Sequence, residues 1–97
     1  MNMQAMMAQA QKLQNDIKKK KDELNKQEFN SKNDFVDITM NGKKEIVLFK
    51  ILKRDVNEDD IEVLEDMTII AMKDLNNQIN KAFDDVMGAY SQLDGLI

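Results

Sequence analysis

Four consecutive lysines, Lys18 to Lys21, are the densest chemical feature of this 97-residue chain. Lys12 and Lys26 stand one heptad to either side of Lys19. Four successive helical residues point around the whole circumference, so at least two of these ammonium groups face solvent whatever the packing. Groups so placed can neutralise phosphates without reading bases. Lys43 and Lys44, directly after Asn41-Gly42, form a second, smaller group, and Lys53-Arg54 a third. The bland alternative is that a lysine run is only a solvated helix face.

Other chemistry is poorly supplied. The chain has no histidine and no cysteine, which removes the commonest general base, thiol catalysis, disulfides and the usual zinc ligands. Glu58, Asp59, Asp60 and Glu62 form an acidic cluster, but it lacks the spaced ligands and central glycine of a calcium loop. Acids there suit the positive end of a helix dipole instead. Asp84-Asp85, with Asp74 upstream, provides no paired acid and base. Without a nucleophile–base constellation the sequence predicts no enzyme, no cofactor, no metal and no small-molecule substrate. Met3, Met6 and Met7 offer an adaptable apolar surface, or simply core filler where helix ends meet.

The formal net charge of −4 hides a division along the chain. Residues 1–54 carry twelve Lys/Arg against seven Asp/Glu, a net +5. Residues 55–97 carry two lysines against eleven acids, a net −9. A uniformly acidic protein would argue against a nucleic-acid partner; this polarised one does not. Met1-Asn2-Met3-Gln4 lacks the basic and apolar regions of a signal peptide, and the run Met67 to Met72 is far too short for a membrane span. The expected location is cytoplasmic, with no membrane partner.

These residues must be positioned by a small set of elements in one domain, 1–97. Met3, Met6, Ala10, Leu13, Ile17, Lys20 and Leu24 step by threes and fours, which predicts a helix over about 3–25. Lys20 interrupts that stripe, so it snorkels or marks where the helix leaves its partner. The period then changes to that of a strand. Asn41-Gly42 between alternating runs predicts a two-residue type I′ hairpin, with Met40 opposite Lys43 and Val36 opposite Val47. Strands are expected at about 34–41 and 44–52, with a short first strand at about 26–30 and a turn over Asn30-Ser31-Lys32-Asn33. One sheet face carries Val36, Ile38, Met40, Val47, Phe49 and Ile51. The other is mixed and includes Ile46, Leu48 and Leu52. A longer helix follows over about 59–93, capped by Asn57 or Asp59. Its main stripe runs Ile61, Leu64, Thr68, Ala71, Leu75, Ile79, Ala82, Val86 and Tyr90, with Val63, Met67 and Ile70 beside its first half.

The fold class is therefore α+β: long helix, two- or three-stranded antiparallel meander, longer helix. The helices share one sheet face and project beyond it as an antiparallel pair. Apolarity on two sides, in Ile46, Leu48, Leu52, Val63, Met67 and Ile70, predicts a homodimer with projecting helical arms.

This helix–hairpin–helix plan resembles the bacterial YbaB/EbfC nucleoid-associated proteins. Val36-Asp37-Ile38-Thr39-Met40-Asn41-Gly42 is similar to their V-x-V-x-x-N-G hairpin. Asp59 through Met67 resembles their Leu-Glu-Asp-centred start of the last helix, and Ala71-Met72-Lys73-Asp74-Leu75-Asn76 the A-x-x-D-A-x after it. Met6 to Gln14 is similar to their opening M-K-Q-A-Q-x-M-Q helix. The chain departs from the family where Asn30-Ser31-Lys32-Asn33 replaces a glycine-rich stretch, and where Leu52 to Val56 lacks the usual Ile-Asp-Pro. The resemblance implies a cytoplasmic, nucleoid-located, tweezer-shaped homodimer binding double-stranded DNA. On that reading Lys12, Lys18, Lys19, Lys21, Lys26, Lys43 and Lys44 are the candidate phosphate contacts. The same plan also resembles prefoldin subunits, which implies a competing holdase or scaffold role. The apolar ends, Met3 to Met7 and Tyr90, Leu93, Leu96 and Ile97, suit that alternative.

Overall fold

The computed structural model describes residues 2–94, with side chains up to residue 90. The side chains of Leu93, Leu96 and Ile97, expected to form an apolar free end, lie outside the described residues. The chain runs α1 (Met3–Lys26), β1 (Glu28–Lys32), β2 (Val36–Asn41), β3 (Ile46–Ile51) and α2 (Ile61–Asp94), the last entered through a single 3₁₀ turn at Glu58–Asp60. This is the expected α+β order with all three strands present, in an antiparallel sheet ordered β1-β2-β3.

Each boundary has a local cause. Asn2 starts α1 by accepting the Ala5 N–H at 2.8 Å, and extended Gln27 ends it. Asn57 caps the entry to α2 in a reciprocal box with Asp60, while Glu58, Asp59 and Asp60 occupy its first turn. Asn33 makes the β1–β2 corner. Its Oδ1 accepts the N–H groups of Phe35 and Val36 at 2.9 and 3.0 Å, and its Nδ2 donates to the Met67 carbonyl at 3.1 Å. One amide thus shapes the corner and ties it to α2. The turn accordingly follows residue 32 instead of spanning Asn30 to Asn33, and β1 begins two residues later than the expected 26–30.

The core lies between α2 and the first two strands. Phe29, Val36, Ile38 and Met40 face Ala71, Leu75 and Ile79, and Val36, Ile38, Leu75 and Ile79 are fully buried. Each such side chain contributes about 1.5–3 kcal/mol on leaving water. On the opposite face of the sheet, Asn30 donates to Asp37 and Thr39 at 2.7 and 2.9 Å, which keeps that surface polar.

The hairpin differs from its expected form. Val36 pairs with Ile51, Ile38 with Phe49 and Thr39 with Leu48, with an irregularity before the Met40–Ile46 pair. The Lys44 N–H donates to the Asn41 carbonyl at 2.9 Å and the Asn41 N–H to the Glu45 carbonyl at 3.0 Å. The loop is a three-residue turn, Gly42 to Lys44, closed by Lys44 in the left-handed region at φ 64°. Gly42 itself has no positive φ, so this is not the type I′ turn that Asn-Gly suggested. From Val36 to Thr39 the register moves by four residues, an even number, so Leu48, Phe49 and Ile51 keep their expected faces. Past the irregularity it moves by three, which sets Ile46 opposite Met40 and off the mixed face expected for it.

Candidate nucleic-acid interface

The lysines do not all point the same way. At 100° per residue, Lys12, Lys18, Lys19 and Lys26 share the outward side of α1, opposite the Leu13–Ile17–Leu24 stripe. All four are exposed. Lys21 is also exposed but falls on the flank. Lys20, on the packing side, borders a recess with Asp85, Val86, Ala89 and Tyr90 of α2 and pairs with Glu23 at 3.6 Å. Its ammonium reaches solvent past the seam, as a snorkelling lysine should.

The fold joins the first two lysine groups. One shallow recess is lined by Asn15, Lys18, Lys19, Asp22, Glu23 and Lys26. A second shares Asp22 and Lys26 with it and continues through Asn25, Glu28, Asn41, Lys43, Glu45 and Val47. Helix and hairpin tip therefore form one ledge, although their lysines are separated by seventeen positions in sequence. Lys44 is exposed at the same tip. Four carboxylates, Asp22, Glu23, Glu28 and Glu45, lie among the lysines and were not anticipated as part of this surface. Glu45 follows Lys44 in sequence, whereas Glu28 reaches the tip only by pairing with Asn41 across β1 and β2, which no local spacing reveals. Two of the four are engaged: Glu23 by Lys20, and Glu45 by the Asn41 amide at 2.8 Å.

The third basic group is used differently. Lys53 donates to Asp60 at 2.9 Å and lies 5.3 Å from the centroid of the Phe35 ring, which fastens the β3–α2 connection. That hydrogen bond, together with one from the Asn57 N–H, holds the Asp60 carboxyl below its ordinary 3.8. Only Arg54 of this pair stays exposed.

A separate apolar surface runs along β3 and the start of α2. Phe49, Ile51, Leu64, Thr68 and Ile69 line a groove with Glu65. Around it Ile46 is 54% exposed, Ile61 48% and Ile70 55%. Of the residues expected at a subunit interface, Ile46, Val63 and Ile70 are exposed, while Leu48, Leu52 and Met67 are half-buried. Sequence reasoning left Phe49, Ile51, Ile61 and Ile69 out of that set, because it treated the first three as part of the covered stripes. The helices contact β1 and β2 and leave the third strand's inner face without a cover, a placement that alternation within the strand does not encode.

Among the described residues no group of His, Cys, Asp or Glu is arranged to hold a metal ion, and no helix is long and apolar enough to cross a membrane. The chain matches the model of the YbaB/EbfC DNA-binding family over residues 1–93. It belongs to that family. It is 36% identical to a nucleoid-associated protein of Ligilactobacillus salivarius, covering 95% of this chain and 90% of the relative. Identity is 38% to a nucleoid-associated protein of Streptococcus agalactiae and 41% to one of Streptococcus thermophilus, each over 94% of both chains. The YbaB/EbfC proteins are DNA-binding proteins and not enzymes.

Proposed function

We propose that this chain binds duplex DNA in the nucleoid as a homodimer, through phosphate contacts with little sequence readout. The observation that carries the reading is the ledge, where exposed lysines of α1 and of the hairpin tip meet on one surface of a YbaB/EbfC chain. Lys18, Lys19, Lys26 and Lys43 are its central contacts; Lys12, Lys21 and Lys44 extend it. Dimerisation through the exposed apolar strip of Phe49, Ile51, Ile61, Ile69 and Ile70, with Ile46 and Val63, doubles the ledge and lets two arms flank a duplex. Leu48, Leu52 and Met67 lie at the edge of that contact. Interleaved carboxylates keep the affinity modest, and the phosphate contacts make it salt-dependent.

The test is duplex binding by a variant with Lys18, Lys19 and Lys26 all changed to Gln. Six charges leave each dimer, so affinity should fall at least tenfold at low salt, with a flatter dependence of log affinity on log salt. Circular dichroism should not change. Equal binding by parent and variant at every salt concentration would remove the ledge from the mechanism. Met3, Met6 and Met7, 77%, 46% and 67% exposed at the free end of α1, favour a second reading as a prefoldin-like holdase. Failure to slow the aggregation of a heat-denatured client would dispose of that role.

A further inference from the structure

The hairpin tip is fastened to the end of α1 by a contact that only glycine permits. A Cβ on Gly42 would stand 1.9 Å from the Leu24 carbonyl oxygen and 2.9 Å from the Asn25 Cα. Gly42 is buried although the next residues, Lys43 and Lys44, are exposed. Its φ is not in the left-handed region, so a side chain is excluded here by lack of space. Across the corner, the Asn41 Oδ1 accepts the N–H groups of Lys43 and Glu45 at 2.9 and 3.0 Å. Its Nδ2 donates to the Glu45 carboxylate at 2.8 Å. Lys44 is meanwhile held at φ 64°, a conformation unfavourable for a lysine unless its neighbours impose it. Both tip lysines thus leave from a backbone whose shape is set by Asn41 and whose place is set by α1.

From this latch, and resting on the DNA-binding reading above, we infer that Asn41 and Gly42 are positioning residues for the phosphate contacts. They hold Lys43 and Lys44 in line with Lys19 and Lys26, so that one duplex strand is followed without a break from helix onto hairpin. The heptad from Lys19 to Lys26 covers about 10 Å of helix axis. Lys43 borders the recess that Lys26 shares, and so continues that line. A loosely hinged tip would still carry two charges, but would bring them to the same backbone only part of the time.

The test compares the salt dependence of duplex binding in three backgrounds: parent, Gly42→Ala and Asn41→Ala. In each, Lys43 and Lys44 are then changed together to Gln. In the parent, this change should lower the slope of log affinity against log salt by roughly 2 to 4 per dimer, about 0.9 for each phosphate no longer neutralised. In the latch variants the slope should already be lower, and removing the two lysines should change it by less than about a third as much. Circular dichroism should match the parent throughout. If Gly42→Ala fails to fold, Asn41→Ala carries the comparison, since its cavity is at the surface. An equal slope change in all three backgrounds, or none in any, would overturn the latch while leaving DNA binding intact. A parent that binds no duplex at low salt would remove the underlying reading and this inference together.

Discussion

Asp60 shows how one carboxylate can serve a turn and a junction at once. It closes the capping box with Asn57 and receives the Lys53 ammonium, whose stem passes Phe35. Because the folded-state pKa is depressed by the Lys53 hydrogen bond, Asp60 favours the folded state above its ordinary 3.8. That contribution disappears as pH falls through the lowered folded value. Asp60→Asn should therefore melt below the parent from about pH 5 upward, and the two should converge in stronger acid. Melting temperatures that stay equally far apart at every pH would mean the pair adds nothing specific to charge. The residue scale also explains Gly42, whose part is a close approach to the Leu24 carbonyl and not a left-handed turn.

At the scale of elements, α2 is the organiser. Its face of Ala71, Leu75 and Ile79 closes the core over β1 and β2, and its side chain at Gln78 reaches the Asn30 carbonyl at 3.0 Å. The far end of α1 has no such cover, since Met3, Met6 and Met7 are exposed. Truncation should separate these roles. Leu75→Ala leaves a cavity against the sheet and should cost about 2–5 kcal/mol in urea unfolding. Met7→Ala, on the arm, should stay within about 0.5 kcal/mol of the parent. Comparable destabilisation at both sites would show that α1's arm is packed as tightly as the core.

For the whole molecule, the described part is 71 Å long and 20 by 13 Å across, with its core gathered toward the sheet. So extended a shape leaves much apolar surface in water, and a second copy over β3 and the start of α2 would remove it. Ile70 is 55% exposed in the single chain, so Ile70→Asp does not bury a carboxylate in the protomer. The substitution should lower the particle mass measured by light scattering from twice 11.2 kDa to 11.2 kDa, with helix content retained. A parent that already sediments at 11.2 kDa would exclude the dimer and the paired arms with it.

The element order was legible in the residues because period is a local property. Threes and fours in α1 and α2 and alternation in β2 and β3 need no distant partner to be read, and the absence of histidine and cysteine limited the chemistry just as directly. Face assignment survived the wrong hairpin register for Leu48, Phe49 and Ile51, since alternation depends only on parity, but failed at Ile46, where the irregularity changes that parity. What the tertiary structure alone decided was where separate stretches meet. The packing of Gly42 against Leu24 sets the hairpin tip on the end of α1, with Lys43 beside Lys26. The packing of α2 on β1 and β2 left Phe49 and Ile51 exposed although they alternate like core residues. Glu28 entered the lysine ledge through its pairing with Asn41. Each of these depends on a contact between residues far apart in the chain, and no spacing within a segment encodes it.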